Sequence, residues 1–264
     1  MTPHSRPPAM SSATAPDPVF IRVKDLFKQI GEQRILRGVT LDIMRGSGVA
    51  IIGGSGTGKS VFLKLVMGLI PATSGSIKVD GTEITGLSER EMGPHRRKMG
   101  LLFQDGALFD SLTVKENVAF PLREAGWHDE TKIRQKVEET LESVDLRGHL
   151  HKLPSDLSGG MRKRAALARA IITGPQCVLY DEPTSGLDPI VADSIDQLIR
   201  RTQRNRGITS VIVTHDMKAL QVVTDQVIFL REGVVHFSGT PQALMASTDP
   251  LIRQFVEGRS GETG

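Results

Sequence analysis

Apolar runs alternate with amphipathic helical patterns along the second half of the chain. Runs that are only four or five residues long predict buried strands. Strands that alternate with helices are typical of a parallel β-sheet with helices on its faces, so this half of the chain predicts an α/β fold. The predicted strands are 177–180, 209–213, 227–230 and 234–237, and the predicted helices are 189–204 and 217–223.

The first half of the chain combines short strands with a long, mostly helical stretch. Thr113 and Glu116 have the spacing of a capping box, which predicts the start of a helix. Because the stretch at about 86–156 interrupts the alternation of strands and helices, we expect a helical subdomain inserted into the α/β core. The other predicted strands are 19–24, 39–44, 48–52, 77–81 and 99–103, and the other predicted helices are 61–70, 129–144 and 160–172.

Composition narrows the class of protein. The 264 residues are 39% hydrophobic and 24% charged, which is typical of a soluble globular protein. The net charge of +3 is too small to indicate nucleic-acid binding by itself. The single cysteine, Cys177, lies in an apolar run and predicts a buried thiol without an internal disulfide. No apolar run reaches the roughly 18 residues that a membrane-spanning helix requires.

A glycine-rich segment fits the pattern G-x-x-x-x-G-K-[ST] of phosphate-binding loops. It follows the predicted strand 48–52 and precedes the predicted helix 61–70, which is the context that such a loop requires. Its amides and the lysine are expected to bind the phosphates of a nucleoside triphosphate, and its serine to hold Mg²⁺. The segment comprises Gly53, Gly54, Ser55, Gly56, Thr57, Gly58, Lys59 and Ser60.

Two further segments are candidates for the reaction site: one carries two carboxylates and the other could bind an anion. Asp181 and Glu182 end an apolar strand, where a carboxylate can fix Mg²⁺ and its neighbour can orient or deprotonate water. The sequence 157–161, with Ser158, Gly159 and Gly160, precedes a helix rich in Arg and Ala. It is either a second anion site at a helix N-terminus or a plain helix cap.

The order of these features resembles the ATP-binding cassette (ABC) ATPases over about residues 19–257. It includes Gln104 after a strand, Ser185 to Asp188 after the acidic pair, and His215 at another strand end. The resemblance implies a P-loop NTPase fold, with a RecA-like parallel-sheet core, an antiparallel β subdomain and an inserted helical subdomain. It also implies an ATPase domain at 19–248 and a C-terminal extension at 249–264. The first 18 residues contain five prolines and lack the apolar core of a signal peptide, so we expect a disordered tail at 1–18. The last residues, 258–264, are expected to be frayed.

The resemblance also assigns roles. Lys59 and the loop amides would bind ATP, while Ser60, Gln104 and Asp181 would hold Mg²⁺. Glu182 would be the general base, His215 would contact the γ-phosphate, and Gln104 would also sense the transport partner. The remaining nucleotide-binding residues would be Ser158, Gly159, Gly160 and Asp188, with Ser158 and Gly160 contacting the nucleotide of a second copy.

Because the chain has one phosphate loop and one copy of the segment 157–161, which is called the signature, we expect a symmetric homodimer that closes on two ATP molecules. Two positions depart from the family pattern. Ile30 occupies the place of the usual adenine-stacking aromatic, with Phe27 nearby but out of register. Met161 replaces a common glutamine at the end of the signature.

Four stretches, 103–109, 117–124, 157–161 and 249–255, are similar to ATPases of MCE-associated (Mla-type) phospholipid transporters. This likeness implies a peripheral ATPase at the cytoplasmic face of the inner membrane. Its partners would be a permease (MlaE-like), an MCE lipid-binding protein (MlaD-like) and a STAS-domain protein (MlaB-like), without nucleic acid. The apolar residues Ala107, Leu108 and Phe109 either receive a permease helix or belong to the subdomain core. Leu251, Ile252, Phe255 and Val256 have helical spacing and are expected to dock on the dimer mate or the STAS partner.

Two alternative functions to phospholipid transport remain. The first is the ATPase of an importer for amino acids, metals or other small solutes. The second is a soluble cassette that acts on DNA or ribosomes. Proteins of that second kind usually carry two cassettes, zinc motifs or long coiled insertions, whereas this chain has one cassette, one cysteine and no heptad run.

Overall fold

A computed structural model describes residues 17–258 of the chain. The disordered tail expected at 1–18 therefore lies outside the described residues except for its last two positions. Nearly all of the C-terminal segment 258–264, which is expected to be frayed, also lies outside them. No helix within residues 17–258 is both long enough and apolar enough to cross a membrane.

The described strands form two sheets. They are β1 (Val19–Ile30), β2 (Gln33–Met44), β3 (Gly48–Ile52), β4 (Ser74–Val79), β5 (Thr82–Glu83), β6 (Met99–Leu102), β7 (Cys177–Asp181), β8 (Thr209–Val213), β9 (Gln226–Arg231) and β10 (Val234–Gly239). One sheet has the order β10-β9-β3-β8-β7-β6 and the other β2-β1-β4-β5. In the first sheet only the β9–β10 pair is antiparallel, while the second is antiparallel throughout. The predicted parallel core and antiparallel β subdomain are both confirmed.

Helices cover both faces of the parallel sheet. They are α1 (Lys59–Val66), α2 (Glu89–Arg96), α3 (Val114–Glu124), α4 (Glu130–Ser143), α5 (Gly159–Ile171), α6 (Pro189–Arg206), α7 (Met217–Val223), α8 (Pro241–Met245) and α9 (Pro250–Val256). Alternate strand residues face opposite sides: Val178 and Tyr180 pack with α3 to α7, whereas Leu179 packs with α1 and the antiparallel sheet. Strands β3 and β8 are buried at every position, which explains their uninterrupted apolar sequences.

Among the elements whose observed bounds differ from the predicted ones, two differ for identifiable reasons. Strand β1 continues past residue 24, because a bulge at Asp25 (φ 47°) shifts the register without ending the pairing. The helix predicted at 61–70 ends at Val66, because Gly68 adopts a left-handed conformation (φ 63°) just beyond its cap.

The helical segment begins later in the chain than expected. Strand β6 pairs in parallel with β7 at the edge of the core sheet, so residues 86–102 are not part of a helical insertion. Helices α3 and α4 lie between those two strands in sequence and pack against α5. The capping box at Thr113 is present and begins α3. The division of the chain into domains otherwise stays a prediction.

The C-terminal helix packs on its own chain. Ile252 of α9 is buried in a cluster with Ala50, Ile52 and Phe229 of the core sheet. The ring of Phe255 lies 5.0 Å from that of Phe229. The expectation that this apolar face docks on the dimer mate or a STAS partner is therefore wrong for Ile252, because the sheet already covers it. Leu251, Phe255 and Val256 are only partly buried, so their docking stays a prediction.

Candidate active site

The phosphate loop connects β3 to α1, and close packing requires its glycines. A Cβ atom on Gly53 (φ 150°) would lie 2.2 Å from the carbonyl oxygen of Leu230. A Cβ atom on Gly58 (φ 96°) would lie 2.6 Å from Cδ2 of Leu36. Gly58 also caps the N-terminus of α1, so the free amides of that helix face the loop. The loop is therefore held in shape by its neighbours as well as by its own sequence.

Lys59 lies inside this loop. Its Nζ donates to the carbonyl oxygens of Gly53 and Gly54, each at 2.8 Å. Burial lowers the pKa of Lys59, while the charges of Glu182 and Asp181 act to raise it. The ammonium group is thus directed into the loop before any phosphate arrives.

Ser60 and Asp181 form the candidate magnesium site. The Ser60 hydroxyl at the start of α1 donates to Oδ1 of Asp181 at the end of β7, at 2.9 Å. A hydroxyl and a carboxylate are oxygen ligands of the kind that Mg²⁺ prefers, so the pair fits the ion. Gln104 does not join them: its amide lies 3.5 Å from the Ser185 hydroxyl. A role for Gln104 at the metal stays a prediction.

Glu182 and His215 meet beside this pair. Nδ1 of His215 lies 2.9 Å from Oε2 of Glu182, whose side chain is 15% exposed against 70% for the histidine. Strands β7 and β8 are parallel neighbours, so the residues that follow their carboxyl ends are brought together. Glu182 has a left-handed backbone (φ 48°), a strained state for a residue other than glycine. The partly buried carboxylate lies close enough to Lys59 for its charge to act on that residue's pKa, so it is near the phosphate loop.

The signature segment lies apart from this cluster. Ser158 is exposed and caps α5, with its hydroxyl accepting from the amide of Met161. In the described part of the chain it makes no hydrogen bond to the phosphate loop. A Cβ atom on Gly160 would lie 2.6 Å from Cγ1 of Val191, and one on Gly159 would lie 3.0 Å from Cδ2 of Leu187. Both glycines therefore have a packing role that the sequence does not reveal.

Asp188 also has a structural role. Its Oδ1 accepts from the amides of Ile190 and Val191, each at 3.1 Å, and so caps α6. Its predicted contact with nucleotide stays a prediction, as do the roles of Ser158, Gly159 and Gly160.

The part of the chain expected to lie beside adenine is a hairpin rather than a separate loop. Ile30 pairs with Gln33 at the tip of the β1–β2 hairpin and is 52% exposed. From this hairpin it is instead Ile35 and Leu36 of β2 that touch the phosphate loop, since they lie against Gly58. Sequence reasoning missed them, because only the hairpin register brings them to the loop.

Comparison with known proteins agrees with this geometry. The profile of the family described as "ABC transporter" matches residues 36–185. The chain is 46% identical to the probable ribonucleotide transport ATP-binding protein mkl of Mycobacterium leprae, over 91% of this chain and 70% of that protein. It is 41% identical to the intermembrane phospholipid transport system ATP-binding protein MlaF of Haemophilus influenzae, over 91% of each.

A solved structure has the same fold. The dimeric ATP-binding cassette MJ0796, in a post-hydrolysis state with ADP and Pi, has a TM-score of 0.77 and 32% identity. That match covers 84% of this chain and 98% of the cassette. Fold, site geometry and relatives agree, and the chain belongs to the ABC transporter family as an ATP-binding subunit that hydrolyses ATP to drive transport.

Proposed function

We propose that this chain is the motor of a transporter that moves phospholipids between the inner and outer membranes. It would act as a peripheral subunit at the cytoplasmic face of the inner membrane. The observation that carries the proposal is the match to the intermembrane phospholipid transport ATPase, which spans 91% of both chains. The expected partners are a permease, an MCE lipid-binding protein and a STAS-domain protein.

In the proposed reaction the phosphate loop and Lys59 bind the β- and γ-phosphates of ATP. Mg²⁺, held by Ser60 and Asp181, would neutralise phosphate charge. Glu182 accepts the proton of the attacking water, since its carboxylate lies beside the loop and is partly buried. His215, at 2.9 Å, orients that carboxylate and contacts the γ-phosphate.

The test of this assignment is Glu182→Gln. Turnover should fall by roughly 10²- to 10⁴-fold, as expected for loss of a general base, while ATP binding persists. Glu139→Gln, on the exposed face of α4, is the matched control and should hydrolyse ATP at the normal rate. Turnover near normal in Glu182→Gln would remove the glutamate from this role.

A second copy of the chain would complete the site. Ser158 is exposed and unconnected to its own phosphate loop, so in a head-to-tail pair it can face the partner's nucleotide. Ser158→Asp keeps the helix cap but repels the γ-phosphate, and Lys59→Ala removes the loop's cation. If the signature acts across the pair, mixing the two inactive variants restores one intact site per mixed dimer. A mixture no more active than either variant would contradict this arrangement.

We further propose that the permease docks on an aromatic patch formed by Phe109 and Phe120. Their ring centroids lie 5.0 Å apart, and both side chains are exposed. The guanidinium of Arg169 lies 5.9 Å from the Phe109 ring. The patch borders an apolar groove of about 610 Å³ that also includes Trp127. Leu108 packs against the core instead, so the alternative interpretation as core holds for that residue.

Phe109→Asp should therefore leave ATP binding intact and abolish stimulation of the ATPase by the reconstituted permease. Leu108→Asp is the contrasting variant, since it places a charge in the core and should lower the melting temperature. Normal stimulation in a folded Phe109→Asp protein would place the permease elsewhere.

A second candidate function is transport of a small solute. It is favoured by the 46% identity to a protein named for ribonucleotide transport. The complete transporter, purified in detergent, separates the two. Phospholipid identified by mass spectrometry and ATPase stimulated by phospholipid vesicles would support the lipid assignment. Stimulation by ribonucleotides alone would support the second candidate.

A further inference from the structure

A buried lysine contacts the backbone of two parts of the active site from the helix that follows the signature. Lys163 lies on α5, five positions after Ser158, and is 6% exposed. Its Nζ donates to the main-chain carbonyl of Gln104 and, at 3.4 Å, to that of Glu182. A buried ammonium group is costly unless it is hydrogen-bonded, so these two carbonyls account for its presence.

The hydrogen bond from Lys163 to Glu182 is made at a strained turn. The left-handed backbone of this residue is a state that persists only where its surroundings hold it. Its amide donates to Val213 at 2.9 Å, and its carbonyl accepts from Ser185 at 3.2 Å as well as from Lys163. Lys163 thus helps to fix the direction of the carbonyl, and with it the direction of the carboxylate that meets His215.

The hydrogen bond from Lys163 to Gln104 holds the segment that follows β6. A second cation from the same helix holds the next residues, since Arg169 donates to the carbonyls of Gly106 and Ala107 at 2.9 and 2.7 Å. Because both cations bind main-chain oxygens, they fix the position of the backbone rather than particular side chains. Residues 104–107 are therefore held to α5 through three of their main-chain carbonyls.

We propose that Lys163 is a positioning residue, which ties the Gln104 segment and the Glu182 turn to α5 so that the carboxylate is held ready for hydrolysis. Movement of the Gln104 segment, caused by a partner at the neighbouring aromatic patch, would then reach Glu182 through the Lys163 side chain. The inference rests on the proposed role of Glu182 as the base.

The test compares Lys163→Met, which matches the unbranched stem of lysine but has no donor, with Lys163→Arg, which keeps a donor and the charge. The methionine variant should fold, because apolar replacement of buried charge is often neutral or stabilising. Its kcat should fall roughly 10- to 100-fold, the size expected for a misplaced catalytic group, with KM for ATP within about two-fold of normal. Arginine should recover part of kcat. If methionine is not tolerated, Lys163→Leu, which also has no donor, answers the same question by its kcat.

A double substitution separates this proposal from the assignment of the base. Combined with Glu182→Gln, Lys163→Met should lower phosphate release no further, because the group that it positions is already gone. An equal fold-change in both backgrounds would overturn the proposal, as would a folded Lys163→Met protein with normal kcat or with raised KM alone. If Glu182→Gln itself turns over normally, the base assignment has failed instead.

Discussion

Replacing Asp196 by asparagine should stabilise the protein, and the gain should grow with pH. Asp196 lies on α6, is 4% exposed, and its Oδ1 has no hydrogen-bond partner among the described residues. It borders a cleft of about 470 Å³ whose charged and titratable lining includes Asp193, Asp216, His215, Lys218 and Glu182. Burial raises the pKa of this carboxyl to about 7, with the charges of Asp216 and Asp193 adding to the shift.

The size of the stability change follows from the pKa shift of Asp196. A folded pKa of about 7, against 3.8 for the free group, means that the folded protein binds the proton more tightly than the unfolded chain does. Stability contributed by that proton is complete below pH 3.8 and is lost as the pH rises through about 7. The loss is about 1.4 kcal/mol per pH unit, or about 4 kcal/mol in total. The asparagine variant would not carry this loss, because its side chain does not ionise.

The assay is the melting temperature of the wild type and Asp196→Asn between pH 5 and 9. At about 2–4 °C per kcal/mol for chains of this size, the difference should approach roughly 10 °C at pH 8 and shrink toward pH 5. Glu139→Gln is the control, because it neutralises an exposed carboxylate on α4 that does not contribute to the shift at Asp196. A difference between wild type and Asp196→Asn that does not change with pH would refute the reasoning.

The other predictions concern the loop, the signature and a helix cap. Lys59→Ala should weaken nucleotide binding in a fluorescence titration, since it removes the cation inside the loop. Gly160→Ala should cost about 1–3 kcal/mol in denaturant unfolding because its Cβ meets Val191, and adding Val191→Ala should restore part of the loss. Thr113→Ala should cost about 1 kcal/mol by removing the cap of α3, whereas Thr113→Ser should be nearly neutral. An unchanged unfolding midpoint in either alanine variant would contradict the packing or capping argument.

The features that could be predicted from the sequence are those with a local cause. The phosphate loop depends on a strand, a turn and a helix that follow one another, so its pattern is visible in one window of sequence. The capping box of α3 is equally local. The pairing of Glu182 with His215 is not local, because it depends on the carboxyl ends of two parallel neighbouring strands. The resemblance gave these two residues separate roles, and their contact was not predicted.

Other features depend on contacts that no local pattern encodes. Strand β1 was predicted too short because a bulge interrupts the alternation of apolar residues. Lys163 lies in a basic stretch and has no distinguishing neighbour, so its burial and its two carbonyl partners appear only in the fold. The glycines of the signature show a further limit of sequence reasoning. Glycine is favoured both where an anion binds and where a helix must pack closely, so the residue type alone does not reveal which role applies.

The attachment of α9 to the core sheet affects how the C-terminus can be studied. Deleting this helix to look for lost partners would also remove Ile252 from its cluster and Phe255 from Phe229. That cluster includes Ala50 and Ile52 of β3, the strand that leads into the phosphate loop. A shortened protein with weak ATPase would then report damage to its own nucleotide site rather than a missing partner. Single substitutions at exposed positions such as Arg253 leave the cluster intact and are the better probes of this end of the chain.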